Sequence, residues 1–179
     1  RVSQRDTCMP AAFITATGTD IGKTYVTAGL ARCLRAQGRK VAVLKPVLSG
    51  FDTRTLAASD SAVLLEAVGL EPSLAAIDAI SPWRFAAPLS PDMAARREGG
   101  AIDFPALVAF CRAAIVEAED VLLIEGIGGL MVPFTGDKTV LDLIEALRLP
   151  TVLVAGTYVG TLSHTLTALE IVQRRGTGP

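Results

Sequence analysis

Histidine and cysteine, the side chains on which zinc chemistry and much nucleophilic catalysis rest, are scarce in this chain of 179 residues. There is a single histidine, His164, and the three cysteines, Cys8, Cys33 and Cys111, lie far apart with no C-x-x-C pair. That usage argues against a disulfide framework and a zinc site and fits a reducing cytoplasm. Surplus positive charge is lacking too. The net charge of -1 offers no basic footprint for nucleic acid. Nor is there an unbroken apolar span of membrane length. The stretch 149–169 carries no Asp, Glu, Lys or Arg, but Pro150, Gly156, Gly160 and five threonines interrupt it, so it reads as a buried strand, a loop and a helix. The opening RVSQRDTCMP has no apolar region of the signal-peptide kind and reads as a tail, 1–11, before the first strand.

What is present is apolar and regularly patterned. Half of the residues are hydrophobic, and a chain of this length can bury a substantial core in one α/β domain. Apolar runs of strand length alternate with helical periodicity, the pattern of a mostly parallel sheet with helices on both faces. Strands are expected at Ala12–Thr15, Val41–Lys45, Val121–Glu125 and Thr151–Ala155. The first helix is expected to turn Val26, Leu30, Cys33, Leu34 and Gln37 inward and to stop at Gly38. A second should start near Asp60 with Val63, Leu64 and Ala67 inward. A third should follow Asp103 as N-cap, with Leu107, Val108, Cys111 and Ile115 as its stripe. Two more are expected at Thr139–Leu147 and Leu162–Arg174. Between Gly69 and Gly100 the Pro-rich chain is expected to run over the surface on either side of a short helix.

In a doubly wound sheet, ligands gather at the carboxyl ends of the strands. Three polar features fall there. The first is the loop Thr15–Thr24, ending in Gly22-Lys23-Thr24. A strand, a glycine-bearing turn and a helix aim backbone N–H groups and the positive helix end at an anion. Lys23 would then neutralise phosphate oxygens, and the Thr24 hydroxyl would ligate Mg²⁺. The bland alternative is an ordinary turn with an exposed lysine. The second is Glu125, closing the run VLLIE before the small residues GIGG. A buried strand-end glutamate needs a partner, either a metal or a capping contact. The third is Lys45 in VLKPVLSG, either a second cation for a transferred phosphoryl group or a lysine merely reaching solvent. Asp60 in ASDS reads by itself as a helix N-cap. His164, on the first turn of a helix, reads as structural or interfacial rather than as a general base, and the cysteines read as small core residues.

The loop departs from the ordinary G-x-x-x-x-G-K-[ST] spacing, which needs glycine where Thr17 stands. Together with VLKPVLSGFD, ASDSAVL, FAAPLSPDMAARREG, LLIEGIGGLMVPF and GTYVGTLSHTLTALEIV, in that order, FITATGTDIGKTYVTAGL resembles the dethiobiotin synthetase family from Phe13 to about Gln173. That family's loop is one residue longer and typically reads G-T-D-T-x-x-G-K-T. Here Ala16 stands in place of its first glycine and Gly18 in place of its aspartate.

The resemblance implies a P-loop fold and an ATP-dependent carboxylation that closes the ureido ring of dethiobiotin from 7,8-diaminononanoate and CO₂. It implies that Asp20, Ile21, Gly22, Lys23, Thr24 and Tyr25 surround the phosphates of ATP, the co-substrate. Thr24, Asp60 and Glu125 hold Mg²⁺, and Glu125, Gly126, Ile127 and Gly128 border the nucleotide. Lys45 and Lys23 are catalytic in this reading, Thr19 and Ser49 contact substrate, and Gly160, Thr161 and Ser163 face the substrate's carboxylate tail across a homodimer interface. Asparagine is usual where Ser163 stands. The family continues past the last helix with at least one more strand carrying adenine contacts, so a C-terminal part is expected to be missing. Two rival readings rest on the same residues. Cobyrinate and cobyric-acid amide ligases need a glutaminase domain, for which this chain has no room. Nucleotide switches of the partitioning and nitrogenase-iron-protein kind carry a loop lysine near the first glycine, and none lies between Arg1 and Asp20.

Overall fold

The computed structural model describes residues 11–176; Cys8 and the expected tail before Ala11 lie outside them. The elements run β1 (Ala11–Ala16), α1 (Lys23–Ala36), β2 (Val41–Leu44), β3 (Val47–Ser49), α2 (Asp60–Ala67), α3 (Leu74–Ile80), β4 (Trp83–Phe85), α4 (Pro91–Arg97), α5 (Phe104–Glu117), β5 (Val121–Glu125), α6 (Val140–Leu147), β6 (Thr151–Val154) and α7 (Thr161–Arg174). A 3-10 turn, Thr53–Ala58, precedes α2.

The main sheet has the order β2-β5-β1-β6, and its three pairings are all parallel. Because successive side chains on a strand point to opposite faces, each strand feeds two cores. Ala11, Phe13, Leu44, Leu122 and Ile124 pack with Leu107 and Cys111 of α5, Leu141 and Ile144 of α6, and Ala168 and Val172 of α7. Ile14, Ala16, Val43, Leu123 and Val154 pack with Ala28 and Ala31 of α1 and Leu64 and Ala67 of α2. Helices thus cover both faces of a parallel sheet, the α/β architecture expected from the pattern. No helix among the described residues is long and apolar enough to cross a membrane.

Helix ends follow local chemistry. Asp103 caps α5, accepting a hydrogen bond from Ala106 N at 3.0 Å. Thr139 and Asp142 form a reciprocal capping box at the start of α6. Two expectations need correction. On α1 the inward face is Thr27, Ala28 and Ala31; Leu30, Cys33 and Gln37 are exposed, with Val26 and Leu34 only partly buried. The helix lies against the sheet and α2, where small side chains allow close approach and large ones are pushed to the rim. Likewise the stretch Gly69–Gly100, largely exposed or partly buried as expected, carries two helices and a strand, α3, β4 and α4, where one short helix was expected. β3 and β4 pair in parallel, and Ile77 of α3 joins Leu48, Ala62 and Leu65 in a small core of its own. The Pro-rich composition of the stretch suits these short elements and turns.

Phe13 is fully buried at the sheet centre, so Phe13→Ala should cost about 3–5 kcal/mol in urea unfolding; a change below 1 kcal/mol, by that same scale, would misplace β1.

Candidate active site

The carboxyl ends of β1, β2 and β5 open onto a cavity of about 950 Å³. From β1 the chain turns into α1 through a loop whose left-handed residues are Asp20 (φ 56°) and Gly22 (φ 98°). Glycine is needed at Gly22, which caps α1 with its backbone alone and leaves first-turn N–H groups uncapped by any side chain. No acidic residue occupies that first turn. Ala16 causes no strain: it is the last residue of β1, fully buried and paired with Val154, and its φ is negative.

Four charged side chains converge at the mouth of this loop. Lys45 is 2% exposed and Glu125 is 0% exposed. The Lys45 ammonium donates to Glu125 Oε1 at 2.6 Å and to the Gly126 carbonyl at 3.0 Å, and it pairs with Asp60 Oδ2 at 3.1 Å. Thr24 Oγ1 donates to the same Glu125 Oε1 at 2.8 Å. Glu125 reaches them because it stands in register with Ile14, on the sheet face that α1 covers. Asp60 is not the N-cap of α2. Ser59 fills that place, accepting from Ala62 N at 3.2 Å, and this leaves Asp60 at the first helical position with its carboxylate free for Lys45.

The two lysines are unequally served. Burial opposes the charge of Lys45, but Glu125 and Asp60 more than offset it and hold the pKa above 10.5. Lys23 donates to the Gly18 carbonyl at 3.2 Å and forms no ion pair among the described residues. Burial, and then the charge of Lys45, depress its pKa, with Glu125, Asp60 and Asp20 acting the other way. An anion in the loop would supply Lys23 with the counter-charge it lacks. Burial also works against Asp60, but the cation beside it holds its carboxyl below the ordinary 3.8.

The Glu125 loop is welded to the phosphate-type loop by backbone. Leu130 N donates to Ala16 O at 2.9 Å, and a Cβ on Gly129 would lie 3.2 Å from Gly18 Cα. Much of the remaining cavity lining is apolar: Leu48, Pro88, Leu89, Pro91, Met93 and Val132. Sequence reasoning missed this lining because it placed the segment PLSPDM on the surface; the closely spaced Pro88 and Pro91 were the available signal.

Comparison with known proteins agrees with this geometry. Residues 11–178 match the model of a family described as an AAA domain. Curated relatives named ATP-dependent dethiobiotin synthetase BioD include those of Methylobacterium nodulans, 50% identical over 90% of this chain and 74% of the relative, and Acidiphilium cryptum, 52% identical over 92% and 74%. The protein of that name from Caulobacter sp. is 50% identical over 90% of this chain and 69% of its own length. The chain belongs to the dethiobiotin synthetase family. None of these relatives bears a nucleotide-switch name.

Of the residues that the dethiobiotin synthetase resemblance singled out, the cavity is lined by Thr19, Asp20, Gly22, Lys23, Thr24, Tyr25, Lys45, Ser49, Asp60, Ile127 and Gly128. Glu125 and Gly126 stand behind them, fully buried and in contact with Lys45. Ile21 turns instead toward the α1 core. Gly160, Thr161 and Ser163 are not on this wall; they form the start of α7, where Thr161 Oγ1 donates to Gly156 O at 2.5 Å.

Gly129→Ala should force the two loops apart, costing about 1–3 kcal/mol and weakening nucleotide binding, as calorimetric titration would show; unaltered affinity would mean the contact is slack. Asp60→Asn tests the ion pair by pH. A depressed carboxyl pKa contributes stability above its unfolded value that is lost as pH falls through the folded one. The stability gap between Asp60→Asn and the unaltered chain should therefore be present at neutral pH and close below 3.8, and a gap independent of pH would reject the pair.

Proposed function

We propose that this chain catalyses the ATP-dependent closure of a cyclic urea, converting 7,8-diaminononanoate and CO₂ to dethiobiotin with release of ADP and phosphate. The observation that carries the reading is the meeting of Lys23, Lys45, Thr24, Asp60 and Glu125 at one loop mouth in a chain about half identical to named synthetases. The domain is read as one P-loop unit acting in the cytoplasm.

Two anions must meet in this reaction, the N7 carbamate of the diamine and the triphosphate. A carbamate oxygen attacks the γ-phosphorus, the bond to the β,γ-bridging oxygen breaks, and ADP leaves. The second amine then attacks the carbamoyl carbon of the mixed anhydride, expelling inorganic phosphate and losing its proton to a phosphate oxygen. The demands are positive charge and positioning rather than a strong base, which suits a chain with one histidine. The loop N–H groups and Lys23 bind the phosphates, and Lys45, anchored by Glu125, faces the transferred group. Thr19 and Ser49 line the cavity where the reacting amines would lie, and Ser49 Oγ is buried without a partner.

Mg²⁺ suits the residues present. Among the described residues no group of three or more His, Cys, Asp or Glu is gathered for a metal. Two carboxylates and a hydroxyl suffice for an ion that shares its shell with phosphate oxygens and water. Glu125 Oε2 is buried and without a hydrogen-bond partner, an acceptor still to be satisfied. Thr24, Asp60 and Glu125 would hold Mg²⁺, which would supply charge neutralisation of the triphosphate. A homodimer is the proposed assembly, with the start of α7 facing the partner's substrate; Val159 (103% exposed), Leu162 (78%) and Leu166 (65%) form the apolar surface that supports it.

The assay is phosphate release with ATP, Mg²⁺, bicarbonate and 7,8-diaminononanoate, each omitted in turn, with dethiobiotin identified by mass. Release that ignores the diamine would reject the proposal. Lys45→Ala should lower kcat about a hundredfold or more; unchanged turnover would remove Lys45 from the chemistry.

A further inference from the structure

The Lys45 ammonium sits where a divalent cation would be drawn. Its three partners are all oxygens, Glu125 Oε1 at 2.6 Å, Gly126 O at 3.0 Å and Asp60 Oδ2 at 3.1 Å. One oxygen of each carboxylate proposed to hold Mg²⁺ is thus already paired to one buried cation, with Glu125 Oε2 left unpartnered, and Thr24 Oγ1, the third proposed ligand, donates to the oxygen that Lys45 also binds. Mg²⁺ takes oxygen ligands at about 2.0–2.1 Å in a tight octahedron. An ion held by both Glu125 and Asp60 would lie close to the ammonium that already binds them, and like charges so placed repel.

Charge balance points the same way. Lys23 and Lys45 carry two positive charges, and Glu125 and Asp60 carry two negative ones. Adding a dication alone leaves these four side chains with a surplus of positive charge. Adding it with a polyphosphate does not, because the phosphate oxygens offer Lys45 and Lys23 new acceptors.

We propose that Lys45 competes with the divalent cation for Glu125 and Asp60, so that the cation binds tightly only when a polyphosphate gives Lys45 other acceptors. The lysine is thereby a positioning residue for metal entry as well as a catalytic one. Metal and nucleotide enter as a unit. The inference rests on the metal site of the proposed function and extends it to the order of binding.

The test uses the full chain and Mn²⁺ alone, followed by electron paramagnetic resonance of the free ion, with and without a non-hydrolysable ATP analogue. The unaltered chain should bind Mn²⁺ alone weakly and bind it tightly with the analogue. Lys45→Gln, which keeps a donor for Glu125, should bind Mn²⁺ alone at least about tenfold more tightly than the unaltered chain, a difference of about 1.4 kcal/mol. Adding Asp60→Asn to Lys45→Gln should remove that gain. Equal Mn²⁺ affinity in Lys45→Gln and the unaltered chain would overturn the competition. So would Mn²⁺ binding to the unaltered chain that is indifferent to the analogue. Failure of Mn²⁺ to bind even with the analogue would reject the metal site itself, and the inference with it. If Lys45→Gln folds poorly, a thermal melt with and without Mn²⁺ reads the same competition: stabilisation greater than in the unaltered chain supports it, and none overturns it.

Discussion

A charged pair sealed at the end of a parallel strand organises this molecule's chemistry. Lys45 directly follows β2 and Glu125 ends the neighbouring strand β5, and both are removed from water. A pair so placed stabilises the fold weakly or not at all against apolar residues of similar shape, but breaking it strands a buried charge. Its presence beside a largely apolar sheet is therefore best understood through what it positions. Lys45 holds the Gly126 carbonyl, Glu125 holds Thr24 at the start of α1, and Asp60 leans in from α2. Three elements, carrying the loop, the two carboxylates and the cation, are fixed to one another by this contact.

The loop tolerates its departures from the family pattern for physical reasons. Ala16 replaces a glycine at a place where the backbone is still extended, so no freedom is lost. Gly18 replaces an aspartate where the Gly129 segment passes against it; the close approach depends on Gly129, whose Cβ would lie 3.2 Å from Gly18 Cα, while a Cβ on Gly18 would meet nothing within 4 Å. The left-handed turn falls at Asp20 and Gly22, close to the phosphates that the loop would hold. A short polar residue can adopt that conformation at modest cost.

Much of this was legible in the sequence. β5 falls at Val121–Glu125 as read, and the α5 cap at Asp103 and the start of α6 after Thr139 are local signals that local chemistry honoured. The face of α1 was misread because large apolar residues were taken to mark the core, whereas Ala28 and Ala31 sit inward and Leu30 outward. The role of Asp60 was hidden by its neighbour: only the backbone shows that Ser59 caps the helix. Lys45 and Glu125 are 80 residues apart, and no spacing rule joins them. Their meeting came from topology and from family resemblance, and the apolar wall around Pro88 and Met93 came from neither.

The most direct test of this account is a double-mutant cycle on the folded, ligand-free chain, with Lys45→Met and Glu125→Leu followed by urea unfolding. Each single substitution should cost about 3–5 kcal/mol, since it takes from the other buried charge its closest partner, while the double substitution should cost less than either. Additive losses would show that the two side chains do not depend on each other, and would contradict the central place given to the pair.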